Sequence, residues 1–181
     1  ESSNQFLVVG LPHSDTLSLN NSGKVNVYHY STDDLLLQQV IHPPFIMEDS
    51  KFGWDARISN NFLMISAPGS NNEASSENTL GRVYLYQKIG TQFELAVIFS
   101  DSTSDNGQYG HSIAISPDEK TIAIAEPYHG DSIVHIYHDP SGLWTGSFSH
   151  LILNTSISTF DYNHQVELTN DHLAIGAKDI Q

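Results

Sequence analysis

Cysteine is absent from the chain, which excludes a disulfide framework, a zinc–thiolate site and a thiol nucleophile. Its absence leaves the compartment open, because a large β domain needs no covalent staples. Lysine and arginine are scarce: 7 stand against 21 aspartates and glutamates, for a net charge of −14. Binding of nucleic acid through its phosphates requires clustered cations, and none cluster here. The same deficit opposes attraction to an anionic lipid surface, whereas an acidic surface favours solubility and attracts cations. No run approaches the ~20 apolar residues of a membrane-spanning helix, so no membrane insertion is expected. No cationic segment followed by an apolar one opens the chain, so any secretory leader is expected to have been removed or to lie outside these residues. Helical periodicity is missing too, and almost no helix is expected.

What the chain has instead is a repeat. Phe52-Gly53 leads into a short alternating run, the turn Asn60-Asn61, the strand Leu63 to Ala67, Pro68, a polar loop, and the strand from Arg82 to Tyr86. The order recurs from Tyr109-Gly110, through Ile113 to Ile115, the turn at Pro117 to Lys120, the strand Ile122 to Ala125, and Pro127, to Val134-His135-Ile136-Tyr137. Phe6 to Leu11 before Pro12, and Leu173 to Gly176 before Lys178, repeat the inner strand. The anchors Pro12, Pro68, Pro127 and Lys178 recur at intervals of about 50–60 residues, the range of a propeller blade or a long solenoid unit.

Side chains alternate across a strand with period 2. Leu7, Leu63, Ile122 and Leu173 therefore share a face with Val9, Ile65, Ile124 and Ile175. The opposite face carries Val8, Met64, Ala123 and Ala174, then Gly10, Ser66, Ala125 and Gly176. A strand apolar on both faces is expected to be buried on both, and large residues opposed to small ones suit sheets stacked closely. Val25, Val83 and Val134 align in the next strand, as do Tyr28, Tyr86 and Tyr137. Leu35 to Ile41, Phe93 to Phe99 and Leu151 to Leu153 fit a half-exposed outer strand.

Phe52-Gly53 with Ser66-Ala67-Pro68, Tyr109-Gly110 with Ala125-Glu126-Pro127, and Phe160-Asp161 with Gly176-Ala177-Lys178 resemble the FG-GAP repeat family, named for its Phe-Gly and Gly-Ala-Pro signatures. The resemblance spans nearly the whole chain. It implies a β-propeller of four-stranded blades, as in the integrin alpha-subunit head, with extracellular binding or adhesion and, in some members, calcium.

The expected architecture is all-β, with propeller-type blades of four antiparallel strands in about three to three and a half repeats. The divisions are a partial blade over 1–47, full blades over 48–104 and 105–155, and a partial blade over 156–181. A ring takes 4–8 blades, so the array is not expected to close on its own. Either further chain or strands from a neighbouring copy would complete the end blades. Phe160–Leu168 is the stretch expected to complete a sheet begun by Phe6–Leu11.

Several residues are candidates for chemistry. The turns at Ser59-Asn60-Asn61, Ser116 to Lys120 and Thr169-Asn170-Asp171 lack the alternating acidic ligands that a calcium loop uses. Asp101, Asp105 and Asn106 form a better oxygen cluster for calcium, although a plain turn is the leading expectation there. Among ten histidines, His135 and His138 are the closest pair, with His129 nearby, but residues three apart on a strand point to opposite faces. A cross-strand or surface role is expected for them. Trp54, Tyr128 and Trp144, with Tyr109, stand at strand ends and turns. Aromatic residues there either anchor a protein or glycan partner or pack between blades. Asn20 and Asn154 head glycosylation sequons, relevant to a secreted eukaryotic glycoprotein. The adjacent carboxylates Asp33-Asp34 and Asp118-Glu119 do not form a catalytic spacing, and no nucleophile elbow, phosphate loop or zinc-protease helix is present.

The leading expectation is a non-enzymatic module for extracellular or cell-surface binding and adhesion, without a cofactor. The alternative is a structural subunit or segment of a filament or ring, with self-association or continuation into a longer chain. A hydrolase with its site on a propeller face ranks third, because residues of a triad can assemble from distant positions.

Overall fold

The computed structural model describes residues 6–69, 81–101, 108–127, 132–154 and 165–176. They form strands β1 (Phe6–Leu11), β2 (Lys24–Tyr30), β3 (Leu35–Ile41), β4 (Ala56–Ile58), β5 (Phe62–Ala67), β6 (Arg82–Ile89) and β7 (Gln92–Ser100). They continue with β8 (Ser112–Ile115), β9 (Thr121–Glu126), β10 (Ile133–His138), β11 (Ser149–Asn154), β12 (Gln165–Leu168) and β13 (Leu173–Gly176). No helix occurs among the described residues. The strands assemble in chain order as antiparallel meanders: β1-β2-β3, β4-β5-β6-β7, β8-β9-β10-β11 and β12-β13. The fold is all-β, a stack of open propeller-like blades, referred to below as blades 1 to 4.

The inner strands coincide with the apolar runs. β5 is buried at every position, and β9 at every position but its first. Three clusters show what each face meets. Val25, Val27 and Ile41 of blade 1 pack against Leu63, Ile65, Tyr84 and Tyr86 of blade 2. The other face of blade 2, with Met64, Val83, Leu85 and Phe99, packs against Ile113, Ile122, Ile124 and Tyr137 of blade 3. Ala114, Ala123, Ala125 and Val134 then meet Val166, Leu168, Leu173 and Ile175 of blade 4. The large-residue column of β5, β9 and β13 thus faces the preceding blade, and the smaller column of β1, β5 and β9 faces the following one. Burial removes about 25 cal/mol of free energy per Å² of apolar surface, so a strand covered on both sides gains twice.

The Phe-Gly and Tyr-Gly turns make the blades dock. Phe52 and Tyr109 are fully buried, and each is followed by a glycine at φ +90°, a conformation that a Cβ disfavours. A Cβ at Gly10 would stand 2.0 Å from the Gly53 carbonyl oxygen, and one at Gly81 would stand 2.1 Å from that of Tyr109. Backbone therefore lies against backbone at both junctions. Gly23 forms a parallel bridge with Phe52 in the first. The opening strands add a hydrogen-bonded relay: Ile113 N–H donates to Asp55 Oδ2 at 3.0 Å, and Val166 N–H donates to Ser112 Oγ at 3.2 Å. Asp55 and Ser112 each stand two residues after the docking glycine.

At the opposite edge, Glu119 accepts from both the backbone and the side-chain nitrogen of Asn61, at 2.7 Å each. The Gln39 side chain brackets the Phe93 backbone, its Oε1 accepting from the Phe93 N–H at 2.9 Å and its Nε2 donating to the Phe93 carbonyl at 3.0 Å. Blades 1 and 2 share a register shift at one equivalent place, Val27/Tyr28 and Leu85/Tyr86, which bends the outer strand away from its neighbour.

Asp139 organises the β10–β11 connection. Its carboxylate is buried and accepts from the Ser141 hydroxyl at 2.6 Å, the Ser141 amide at 2.8 Å and the Trp144 amide at 2.7 Å. The Ser141 hydroxyl, followed by those amides, holds the carboxyl below its usual range against the opposing pull of burial. The folded form is therefore favoured above the unfolded carboxyl's pKa of about 3.9, and that advantage fades as pH falls through the lower folded value. Asp139→Asn should cost about 1–2 kcal/mol at pH 7, the worth of charge-assisted hydrogen bonds. The difference between variant and wild type in urea midpoint should shrink below about pH 4.

Candidate functional site

Two edges of the stack carry the turns. The C-terminal ends of β1, β3, β5, β7 and β9 lie on one of them. Near it, three side chains from the second and third blades converge. Asp101 directly follows β7, Glu126 ends β9, and His135 is the third residue of β10. One ligand atom from each lies within 4.8 Å of the others.

The positions follow from register. His135 pairs with Ile124, and Ile133 pairs with Glu126, so Glu126 and His135 are diagonal neighbours on one sheet face. That face is the one turned toward blade 2. His135 occupies the column of Tyr84, and Glu126 the column of Ala67. Where blade 2 stacks Tyr84 edge-on against Phe52 at 5.4 Å, blade 3 sets His135 edge-on against Tyr109 at 4.9 Å. The Ala/Tyr pair of one blade is a carboxylate/imidazole pair in the next.

Glu126 is fully buried and His135 is 1% exposed. His135 Nε2 lies 2.9 Å from Glu126 Oε2 and 3.8 Å from Asp101 Oδ2. Its Nδ1 lies 3.0 Å from His150 Nε2. The two imidazoles stack at 5.2 Å, and His150 stacks in turn on Tyr137 at 4.3 Å. Burial, followed by the neighbouring His135, pulls the His150 pKa down, against the opposing effect of Asp101. The Tyr109 and Tyr137 hydroxyls meet at 3.0 Å. Burial above all, with Tyr137, Glu126 and Asp101 adding to it, pushes the Tyr109 phenol well above its usual range, so it stays a neutral hydrogen-bonding group. Glu126 Oε1 is buried with no hydrogen-bond partner.

The structure therefore brings the expected residue Asp101 to Glu126 and His135, neither of which was paired with it by sequence. Asp105 and Asn106, the other calcium candidates, and His129 lie outside the described residues. His138 points away from His135, to Thr121 Oγ1 at 3.0 Å. Trp54 is 40% exposed, with the Lys51 ammonium 5.5 Å from its ring and the His111 ring 5.6 Å away. Tyr128 lies outside the described residues. Trp144 is corrected as a partner-binding candidate: it is buried among Phe99 and Phe148, and its indole N–H donates to the Glu119 carbonyl at 2.7 Å. Asn20 is exposed and donates to Glu48 at 2.9 Å, while Ser22, the hydroxyl residue of its sequon, is fully buried. Asn154 closes β11 at an exposed position, and the rest of its sequon lies outside the described residues.

A scan against protein-family models gives no match, and a search of curated proteins gives none.

Proposed function

We propose that this chain is a non-enzymatic binding and adhesion module of FG-GAP-like blades, working outside the cell or at its surface on a protein or glycan ligand. The observation that carries this reading is Trp54, an exposed indole beside a lysine and a histidine at the turn that opens blade 2. An aromatic ring with polar neighbours suits the face of a sugar or the side chain of a protein anchor. Both faces of blades 2 and 3 are consumed by packing, which leaves the edges for recognition. Both ring nitrogens of the buried His135 are engaged by Glu126 and His150, so neither is left to activate a hydroxyl. The acidic surface and the Phe-Gly signatures accord with the same reading.

Binding to an array of glycans and immobilised extracellular proteins tests it. Saturable binding should weaken about tenfold or more in Trp54→Ala, the effect of losing a ~1.4 kcal/mol anchor, with an unchanged melting temperature. Turnover of chromogenic esters, glycosides or phosphates that is abolished by substituting His135 would overturn it in favour of a hydrolase.

A second observation favours assembly into a longer array. Leu7 and Val9 are 44% and 37% exposed, although Leu63, Ile65, Ile122 and Ile124 in the same columns are fully buried. By analogy with the junctions of blades 1 to 4, the small-residue face of a further blade, on the same polypeptide or on another copy, would cover it. A partner blade of that kind makes a head-to-tail contact, which yields a ring or a filament. Sedimentation should show self-association that Val9→Lys abolishes. A monomer at high concentration, with β1 amides already protected from exchange, would contradict it.

A further inference from the structure

We propose that Asp101, Glu126 and His135 form a binding site for a divalent transition ion of the zinc class, held across the junction of blades 2 and 3. The inference is independent of the ligand-binding reading above.

Electrostatics gives the first argument. Glu126 is fully buried, and Asp101 brings a second carboxylate to the same imidazole nitrogen. A proton on His135 Nε2 satisfies Glu126 Oε2, yet it leaves Oε1 of that carboxylate buried without a partner. A buried acceptor without a donor carries the full cost of its desolvation, and a buried charge costs more. A dication in place of that proton compensates the buried charge of Glu126, and Oε1 can join Oε2 in binding it.

Geometry gives the second. Ligands at 2.0–2.2 Å in a tetrahedral shell stand roughly 3.2–3.6 Å apart. The separations of His135 Nε2 from Glu126 Oε2 and Asp101 Oδ2, 2.9 and 3.8 Å, lie on either side of that range, and all three ligand atoms lie within 4.8 Å of one another. An imidazole with two carboxylates favours zinc and its neighbours over calcium or magnesium, which take oxygen alone. Three protein ligands leave a fourth position for water. With the metal on Nε2, the proton of His135 sits on Nδ1 and is donated to His150 Nε2 at 3.0 Å. That outer partner fixes the tautomer and the ring orientation, as metal-bound histidines require.

The third argument is the departure from the repeat. Ala67 and Tyr84 fill the same columns in blade 2 and pack in its apolar cluster. A carboxylate and a histidine at equivalent buried places in blade 3 are not needed for blade packing.

The intact protein, purified in chelator and then freed of it, should bind one zinc ion per chain by calorimetry. Its melting temperature should rise with zinc and not with calcium or magnesium. Cobalt should develop visible d–d bands that zinc bleaches. Glu126→Gln should weaken zinc binding at least tenfold. The double variant Glu126→Ala, His135→Tyr restores the pair found in blade 2, so it should fold, melt cooperatively and neither bind zinc at this stoichiometry nor respond to it. Wild-type protein without zinc binding, a melting response to calcium alone, or equal zinc affinity in the double variant (which would place the ion on other histidines) would each overturn the proposal.

Discussion

Gly81→Ala should be among the most destabilising single-atom changes in the protein, costing about 3–5 kcal/mol, at or above the upper end of overpacking penalties. The added Cβ would stand 2.1 Å from the Tyr109 carbonyl oxygen and 2.9 Å from its carbonyl carbon and its nitrogen. A clash with a flexible side chain relaxes by rotation. Here the obstacle is backbone, and Tyr109 is held by burial in the cluster between blades 2 and 3. Moving it would open the contacts of Met64, Val83 and Ile124 together. Gly90→Ala provides the comparison, because nothing lies within 4 Å of its would-be Cβ. It pays only for its φ of +63°, about 1–2 kcal/mol. Urea melts of the two variants should separate by at least ~1 kcal/mol. Equal midpoints would mean that the blades do not approach as closely at the Tyr-Gly turn as described.

Trp144→Ala should cost about 3–5 kcal/mol, a large part of the 5–15 kcal/mol that holds a typical domain together. Trp144 is 2% exposed and fills the region between Phe99, Tyr137 and Phe148. Its loss leaves a cavity and removes the indole donor from the Glu119 carbonyl. It also uncouples Glu119, which ties blade 3 to Asn61 of blade 2. The residue adopts φ of +53°, rare for a bulky side chain, and its amide is held there by Asp139. Trp144→Phe keeps much of the apolar volume without the indole N–H and should lose roughly half as much. A tryptophan whose replacement by alanine changed the melting curve by under ~0.5 kcal/mol would be on the surface, as a partner-binding residue.

The strand columns were legible in the sequence because a buried strand has only period 2 to obey. Leu63, Ile65, Ile122 and Ile124 stand where their alternation places them, and β1 and β13 coincide with Phe6–Leu11 and Leu173–Gly176. The outer strands were legible from their poorer regularity, which the exposed Leu151, Ile152 and Leu153 bear out. The exposure of Leu7 and Val9 was not, since burial of that face depends on a neighbouring blade and not on the strand that carries it. Nor was the meeting of Glu126 and His135, which depends on hairpin register across a connection whose length sets no register by itself. A signal for it was present: Glu126 is a charge in a column otherwise filled by Leu11, Ala67 and Ala177. Trp144 stood in a Gly- and Ser-containing turn, where composition points outward, and only its packing on Phe99 of blade 2 and Phe148 of blade 3, with the bond to the Glu119 carbonyl, turns it inward.

Face-to-face docking of blades through the Phe-Gly and Tyr-Gly turns is the claim on which the fold, the metal site and the exposed edge all depend. Native-state hydrogen exchange of four amides tests it most directly. Lys51 and Phe52 N–H donate across the first junction to the Asn21 and Ser22 carbonyls, at 3.0 and 3.3 Å. Across the second, Asn61 N–H donates to Glu119 Oε1 at 2.7 Å and Ile113 N–H to Asp55 Oδ2 at 3.0 Å. Each acceptor belongs to the neighbouring blade, so these amides open when the blades separate even if each sheet stays intact. The account predicts protection at all four within about tenfold of that in β5 and β9. Exchange at the rate of an unprotected turn, with β5 and β9 still protected, would contradict it.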